Sequence, residues 1–420
     1  MNEREILESA GERIERVRKG IARIRVLDSL GKPVPGARVV IEQRNHAFLF
    51  GCNIFSLLEY EDSGKPAYGE LFAGLLNYAT LAFYLGSFEY EKGKPNTVAN
   101  RRIAQWCADR GIATKGHPLA WHEVYPKWGP ADADGAVAMF RERIERDVAG
   151  FKGLVDRWDV VNEVIVSERF ENGMGAWAKR DGALRVVVEA MKWARKANPG
   201  ASLLYNDYEI SPKFEKLIGE LEASGAAPDA YGIQSHMHQG EWTIEKAWEV
   251  CETYARFGKP LHFTELTVLS GEHGWRLPPP PNPGPWPSTP EGEAKQADYV
   301  EKFYSTLFSH PAVEAITWWD FADGCWQGAP AGLIRADLTR KPAYDRLASL
   351  IRGRWWTRGE GQADDAGACQ IRGFAGDYAV RVDAGGLSWE TTCVLPRSGA
   401  DWLLRAPASK TARGNGRIKP

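Results

Sequence analysis

Residues 157–163 read RWDVVNE, a short apolar run that ends abruptly in an amide and an acid, Asn162 and Glu163. A run of this length with a β-branched centre reads as a strand covered on both faces, as in a parallel sheet. Seven further runs share the pattern: FLFGCNI (48–54), YATLAFY (78–84), ATKGHPL (113–119), SLLYND (202–207), AYGIQSH (230–236), PLHFTEL (260–266) and EAITWWD (314–320). Longer segments with helical spacing follow them, such as NRRIAQWCADR (100–110), AVAMFRERIERDVAGF (136–151), LRVVVEAMKWARK (184–196) and EKAWEVCETYARF (245–257). Eight strand–helix repeats over about 300 residues suit an α/β (β/α)₈ barrel better than an open sheet.

Outside the repeats the pattern changes. Ile6, Ala10, Ile14 and Val17 recur at three- and four-residue intervals, so residues 1–20 predict an amphipathic docking helix. The stretch IARIRVLDSLGKPVPGARVVIEQ (21–43) alternates apolar and polar residues on both sides of a Gly/Pro turn, and GDYAVRV (376–382), SWETTCVL (388–395) and DWLLR (401–405) do the same near the other end. These regions are expected to pair into one small β module. The organisation expected is therefore a helix at 1–20, module strands at 21–46, the barrel at 47–352, module strands at 353–406 and a mobile tail at 407–420.

The chain has 420 residues, 44% hydrophobic and 26% charged, with a formal net charge of −2. That balance predicts a globular protein and no field strong enough to draw nucleic acid or an anionic membrane. No run of about 18 apolar residues occurs. The charged start MNEREILESAGERIERVRKG is unlike a signal peptide, so the expectation is a cytoplasmic chain or one whose leader has been removed, with a monomer favoured. Six cysteines lack CxxC spacing, which argues against a zinc site; Cys369 and Cys393 are the one expected pair. The 17 tryptophans are many, and indole faces are platforms for sugars as well as core filler; Trp106, Trp158 and Trp193 sit in helix or strand patterns and read as core.

In a (β/α)₈ barrel the chemistry gathers at the C-terminal ends of the strands. Polar residues collect there: His117 and His122, Asn162 and Glu163, Asn206 and Asp207, Gln234 and His236, Glu265, and Asp320 with Asp323. A lone strand-end glutamate is more often a salt bridge or helix cap. Two of them on different strands, each with a polar escort, fit the pair of carboxyls that breaks a glycosidic bond, one protonated and one ionised. Glu163 reads as the general acid/base, with Asn162 placed for a sugar 2-hydroxyl. Glu265 reads as the nucleophile, held ionised by His236. No cofactor or metal is needed for that chemistry.

The motifs KGHPLAWHEVYPKW (115–128), WDVVNE (158–163), LYNDYE (204–209), GIQSHMH (232–238), FTEL (263–266) and ITWWDFADGCW (316–326) occur in the order of one family. Across roughly residues 47–350 the chain resembles glycoside hydrolase family 10, the β-1,4-xylanases. The resemblance implies a retaining hydrolase of β-1,4-linked xylan or xylo-oligosaccharides. It implies that His117, Trp121 and His122 line the subsite of the attacked sugar, that Gln234 and His236 support Glu265, and that Trp319 and Trp326 lie on either side of the central sugar. Tyr208 joins this set of substrate contacts.

Two departures stand out. Asp320 occupies the place of the family's glycine after the tryptophan. TLAFYL (80–85) replaces an E-N-x-M-K-W segment, so Thr80, Leu81 and Tyr84 stand where three polar groups hold the next glycone sugar, while Glu89 and Gly93 still fit. A different β-glycoside is therefore the alternative substrate. The proline-rich loop SGEHGWRLPPPPNPGPWPSTPEGE (270–293), carrying Trp275 and Trp286, reads equally as a stiff lid or a surface excursion. Two other classes compete. The HxH pair His236 and His238 fits a metal-dependent hydrolase, and a tryptophan-lined cleft fits a sugar-binding barrel without turnover.

Overall fold

The computed structural model describes residues 1–238, 240–272 and 286–407. The chain divides into two units, one made of Met1–Ile14 and Leu49–Gly353, the other of Glu15–Phe48 and the chain from Arg354 onward. Strands are numbered along the chain. β1 (Lys19–Leu27) and β2 (Arg38–His46) belong to the second unit.

The first unit is the expected barrel. Its strands are β3 (Leu49–Asn53), β4 (Tyr78–Ala82), β5 (Ala113–His117), β6 (Arg157–Asn162), β7 (Ser202–Asp207), β8 (Ala230–Ile233), β9 (Leu261–Leu266) and β10 (Val313–Trp318). All neighbours are parallel, and the ring closes by β10 pairing with β3 and β9. Near-continuous apolar runs form these strands because the sheet is covered on both faces; β9 is buried at every position. Large side chains fill the unit: Trp158, Tyr205, Tyr231, Phe50 and Trp318 are all fully buried. Gly116 makes room for one of them, since a Cβ there would lie 2.2 Å from the Trp158 ring.

The amphipathic start is two helices, Glu3–Glu8 and Ala10–Arg18, and the chain is already a strand at Lys19, two residues before the expected boundary. Ile6 is fully buried, the Glu3 amide donates to Glu245, and the Arg13 guanidinium bonds Ser309 and lies 4.4 Å over the Trp248 ring. These contacts dock Met1–Ile14 on the helices Ile244–Ala255 and Pro290–Ser309 of the same unit.

The second unit contains β11 (Arg358–Gln362), β12 (Ala368–Phe374), β13 (Gly376–Ala384), β14 (Leu387–Leu395) and β15 (Ala400–Arg405). β1 lies between β12 and β15, and β2 lies between β11 and β13, so each N-terminal strand is flanked by C-terminal ones. Alternation makes the core: Ala22, Ile24 and Val26 from one sheet meet Val39, Ile41, Tyr378, Val380 and Val382 from the other. Gly385 and Gly386, both at positive φ, form the tight turn between β13 and β14. The expected pairing of Cys369 with Cys393 does not occur. Both thiols are free, Cys369 on β12 and Cys393 on β14. Among the described residues no helix is long and apolar enough to cross a membrane. Trp275 and the tail from residue 408 lie outside the described residues.

Candidate active site

β6 ends at Asn162, and Glu163 then takes a left-handed backbone, φ 54° and ψ 40°. For a residue with a Cβ that conformation costs about 1–2 kcal/mol, and strain of this kind concentrates at functional sites. It is held by the Glu163 amide donating to the Asn206 carbonyl at 2.9 Å on the neighbouring β7.

Glu163 is 8% exposed. It accepts from Trp121 Nε1 at 2.9 Å, Asn162 Nδ2 at 3.1 Å and Gln234 Nε2 at 2.6 Å, and His122 Nε2 lies 3.8 Å away. Burial pushes its pKa up to about 8; the Gln234 and Trp121 donors pull it down, while the charges of Glu265 and Asp207 push it further up. It is therefore a protonated acid at neutral pH. Burial also lowers His122 to about 4, leaving that imidazole neutral beside it.

Glu265 lies within β9 and is equally buried, yet it behaves oppositely. Burial alone would raise its pKa, but the His117 imidazole, the His236 hydrogen bond and Lys115 outweigh it and hold the carboxyl below its ordinary value. Its Oε1 accepts from Asn206 Nδ2 at 2.7 Å, and its Oε2 lies 3.1 Å from His236 Nε2. His236 is fixed by Thr267 Oγ1, 2.7 Å from its Nδ1, and by Trp326, whose ring stacks at 5.3 Å. Behind Glu265 stands a fully buried charge cluster. Asp159 lies 2.6 Å from Lys115 Nζ and 2.7 Å from His117 Nδ1, and His117 Nε2 is 3.8 Å from Glu265.

Of the residues expected from sequence, His117, Trp121, His122, Asn162, Gln234 and His236 gather around the two carboxylates, and Trp326 joins through His236. Trp319 is 4% exposed, with its ring edge-on to His117 at 5.3 Å. Tyr208 is 44% exposed, and after burial the charge of Glu163 is what raises its hydroxyl's pKa most, while among the described residues the hydroxyl bonds neither carboxylate. Asp323 is structural: it pairs with Lys341 at 2.5 Å and accepts from the Gly332 amide. Trp286 donates to the Glu272 carbonyl and packs with Trp326 against Leu269, Ala329 and Ala331. Among the described residues no group of three or more His, Cys, Asp or Glu side chains converges on a metal position.

The sequence reading did not assign roles to Asn206, Asp159, Lys115 and Thr267. A signal existed for two of them: Lys115 and Asp159 are opposite charges inside otherwise apolar runs on consecutive strands, the mark of a buried pair. Of the three departures, Thr80 and Leu81 lie within β4 and are fully buried, and only Tyr84, past its end, reaches the mouth, its ring 5.4 Å from His117 and 5.6 Å from Trp121.

Residues 82–350 match the sequence profile of glycosyl hydrolase family 10. The chain is 27% identical over 393 residues to the anti-sigma-I factor RsgI6 of Acetivibrio thermocellus, covering 90% of this chain and 47% of that protein. It is 26% identical over 387 residues to endo-1,4-beta-xylanase 1 of Arabidopsis thaliana, covering 87% and 36%. It thus spans less than half the length of either curated relative. Among solved structures, xylanase 10B from Thermotoga petrophila RKU-1 in complex with xylobiose superposes with a TM-score of 0.61 at 24% identity, over 73% of this chain and 95% of that one. The profile match extends over most of the barrel and includes both glutamates; the chain belongs to glycosyl hydrolase family 10.

Proposed function

We propose that this chain hydrolyses β-1,4-linked xylan or xylo-oligosaccharides with retention of configuration, through a covalent glycosyl-enzyme intermediate. The observation that carries the reading is the opposite polarisation of two buried carboxyls in one hydrogen-bond network, Glu163 held protonated and Glu265 held ionised. The xylan substrate is supported by relatives named endo-1,4-beta-xylanases and by the xylobiose-bound structural neighbour.

In the first step a Glu265 oxygen attacks the anomeric carbon while the bond to the leaving oxygen breaks and takes the Glu163 proton. Glu265 is then an ester and carries no charge. One push that raised Glu163 disappears with it, while the Gln234 and Trp121 donors remain and favour the ionised form. Glu163 is thereby converted into the base that the second step needs. It takes a proton from water as the water oxygen attacks the anomeric carbon and Glu265 departs. Trp121, His117 and Trp319 supply apolar surface and hydrogen-bonding edges around the bound ring.

Product analysis on xylan, xylo-oligosaccharides, β-glucans and aryl β-glycosides, with and without EDTA, tests the reading. Retained configuration by NMR and xylose-containing products insensitive to EDTA are expected. Inverted products, or loss of activity in EDTA, would overturn the mechanism; cleavage of another glycoside alone would overturn the substrate.

A further inference from the structure

The leaving group departs past the acid Glu163, so the body of the attacked sugar extends away from β6. In the ring of strands β6 and β10 are four places apart, on opposite sides of the mouth. The sugar therefore points toward the ends of β10, β3 and β4, where Trp319, Asp320, Asn53 and Tyr84 stand.

That end is walled by rings: Phe55 lies edge-on to Tyr84 at 5.8 Å and to Trp319 at 5.3 Å. The polar groups are few and buried. Asp320 is 6% exposed and Asn53 2%. Asn53 lies beside the Asp320 carboxyl and favours its ionised form, yet among the described residues its Nδ2 makes no hydrogen bond of regular geometry. A buried N–H without an acceptor carries a desolvation cost that a sugar oxygen relieves. Burial pushes Asp320 up to about 7, Asn53 pulls it down and Glu265 pushes it up, so near neutral pH the carboxyl both accepts from and donates to a hydroxyl.

We propose that Asp320 and Asn53 read the free 4-hydroxyl of the sugar that Glu265 attacks, so that the enzyme removes single sugars from the non-reducing end. In a pyranose the fourth carbon is the one opposite the reacting carbon, and in a β-1,4 chain its oxygen is free only on the terminal residue. The inference rests on the glycosidase reading and sharpens its substrate to chain ends.

The test uses the full chain, xylohexaose labelled at its reducing end, an aryl β-xyloside and the 4-deoxy form of that xyloside. Wild type is expected to shorten the labelled chain one sugar at a time and to prefer the 4-hydroxylated xyloside by about 100-fold or more in kcat/KM. Asp320→Ala should lower kcat/KM for the xyloside to near that of the 4-deoxy form and so erase the preference. Asn53→Ala should erode it, and Asp320→Asn, which keeps shape and hydrogen bonding, should retain part of it even if the alanine variant folds poorly. Internal cutting by wild type, or an unchanged preference in Asp320→Ala and Asp320→Asn alike, would overturn the proposal and leave the glycosidase reading standing. Absence of turnover on every glycoside would remove both.

Discussion

Asn206 Nδ2 lies 2.7 Å from Glu265 Oε1, and the same nitrogen lies 2.8 Å from Asn162 Oδ1. An ionised carboxylate only accepts, so this contact fixes which end of the Asn206 amide is nitrogen. Its oxygen is then satisfied by Thr264 Oγ1 at 2.6 Å. Asn162 passes the order on, since its Nδ2 donates to Glu163. Two side-chain amides thus join nucleophile to acid.

Asn206→Ala is expected to reduce kcat by about 10- to 100-fold, the loss of one hydrogen bond to a charged group at about 1.5–3 kcal/mol. Gly232→Ala should do similar damage without touching substrate, because its Cβ would fall 2.3 Å from the Asn206 oxygen and that amide has nowhere to go. The double variant should cost little more than Asn206→Ala alone, since both changes break one network. Steady-state kinetics on the four proteins measures this; fully additive losses would mean that Gly232 acts elsewhere.

Glu265→Ala should abolish turnover, with azide restoring it and giving a product of inverted configuration. Glu163→Ala should spare aryl glycosides with good leaving groups and cripple natural ones. Wild-type rates in the first variant, or equal losses on both substrate types in the second, would reverse these assignments.

The profile of kcat/KM against pH should fall on the basic side near 8, where Glu163 loses its proton, and on the acid side below the ordinary carboxylate range, where Glu265 gains one. Stability follows the same group. From the ordinary 4.5 up to about 8 the folded chain keeps a proton that the unfolded chain has released, so Glu163 makes stability fall as pH rises. Glu163→Gln should therefore gain on wild type by several kcal/mol across that window, at about 1.4 kcal/mol per pH unit. Urea melts at pH 4.5 and 8 read the difference, and a constant gap would contradict the assigned shift.

Asp159→Asn should destabilise the fold by about 3–5 kcal/mol, because it leaves Lys115 charged and fully buried without its counter-ion. Replacing both with apolar residues of similar volume should recover most of that loss while still impairing catalysis through His117, which would lose its Nδ1 partner.

The barrel was legible because each buried strand writes the same signal, an apolar run closed by polar residues, and the pair Glu163 and Glu265 followed from where such runs end. The supporting layer was harder to read. Asn206 was visible as a strand-end residue, but its bridging role depends on the lateral pairing of β6 with β7, which no spacing within one strand records. The two-residue error at Lys19 has a similar origin, for Lys19 becomes a strand by pairing with Phe374, far along the chain. The cysteine expectation rested on nearness in sequence, which does not fix the Cβ geometry that a disulfide needs.

The interleaving of β1 and β2 among strands from the far end of the chain sets an order of events during synthesis. β1 pairs with β12 and β15, and β2 with β11 and β13, so neither finds a partner strand until the chain passes Arg358. Roughly 300 residues emerge in between, about 15–60 s of translation at ordinary rates. Throughout that interval two alternating strands wait with open edges, the form most prone to join a neighbouring chain. The barrel has its strands complete before then, so the nascent protein acquires its chemistry first and its protection from self-association last.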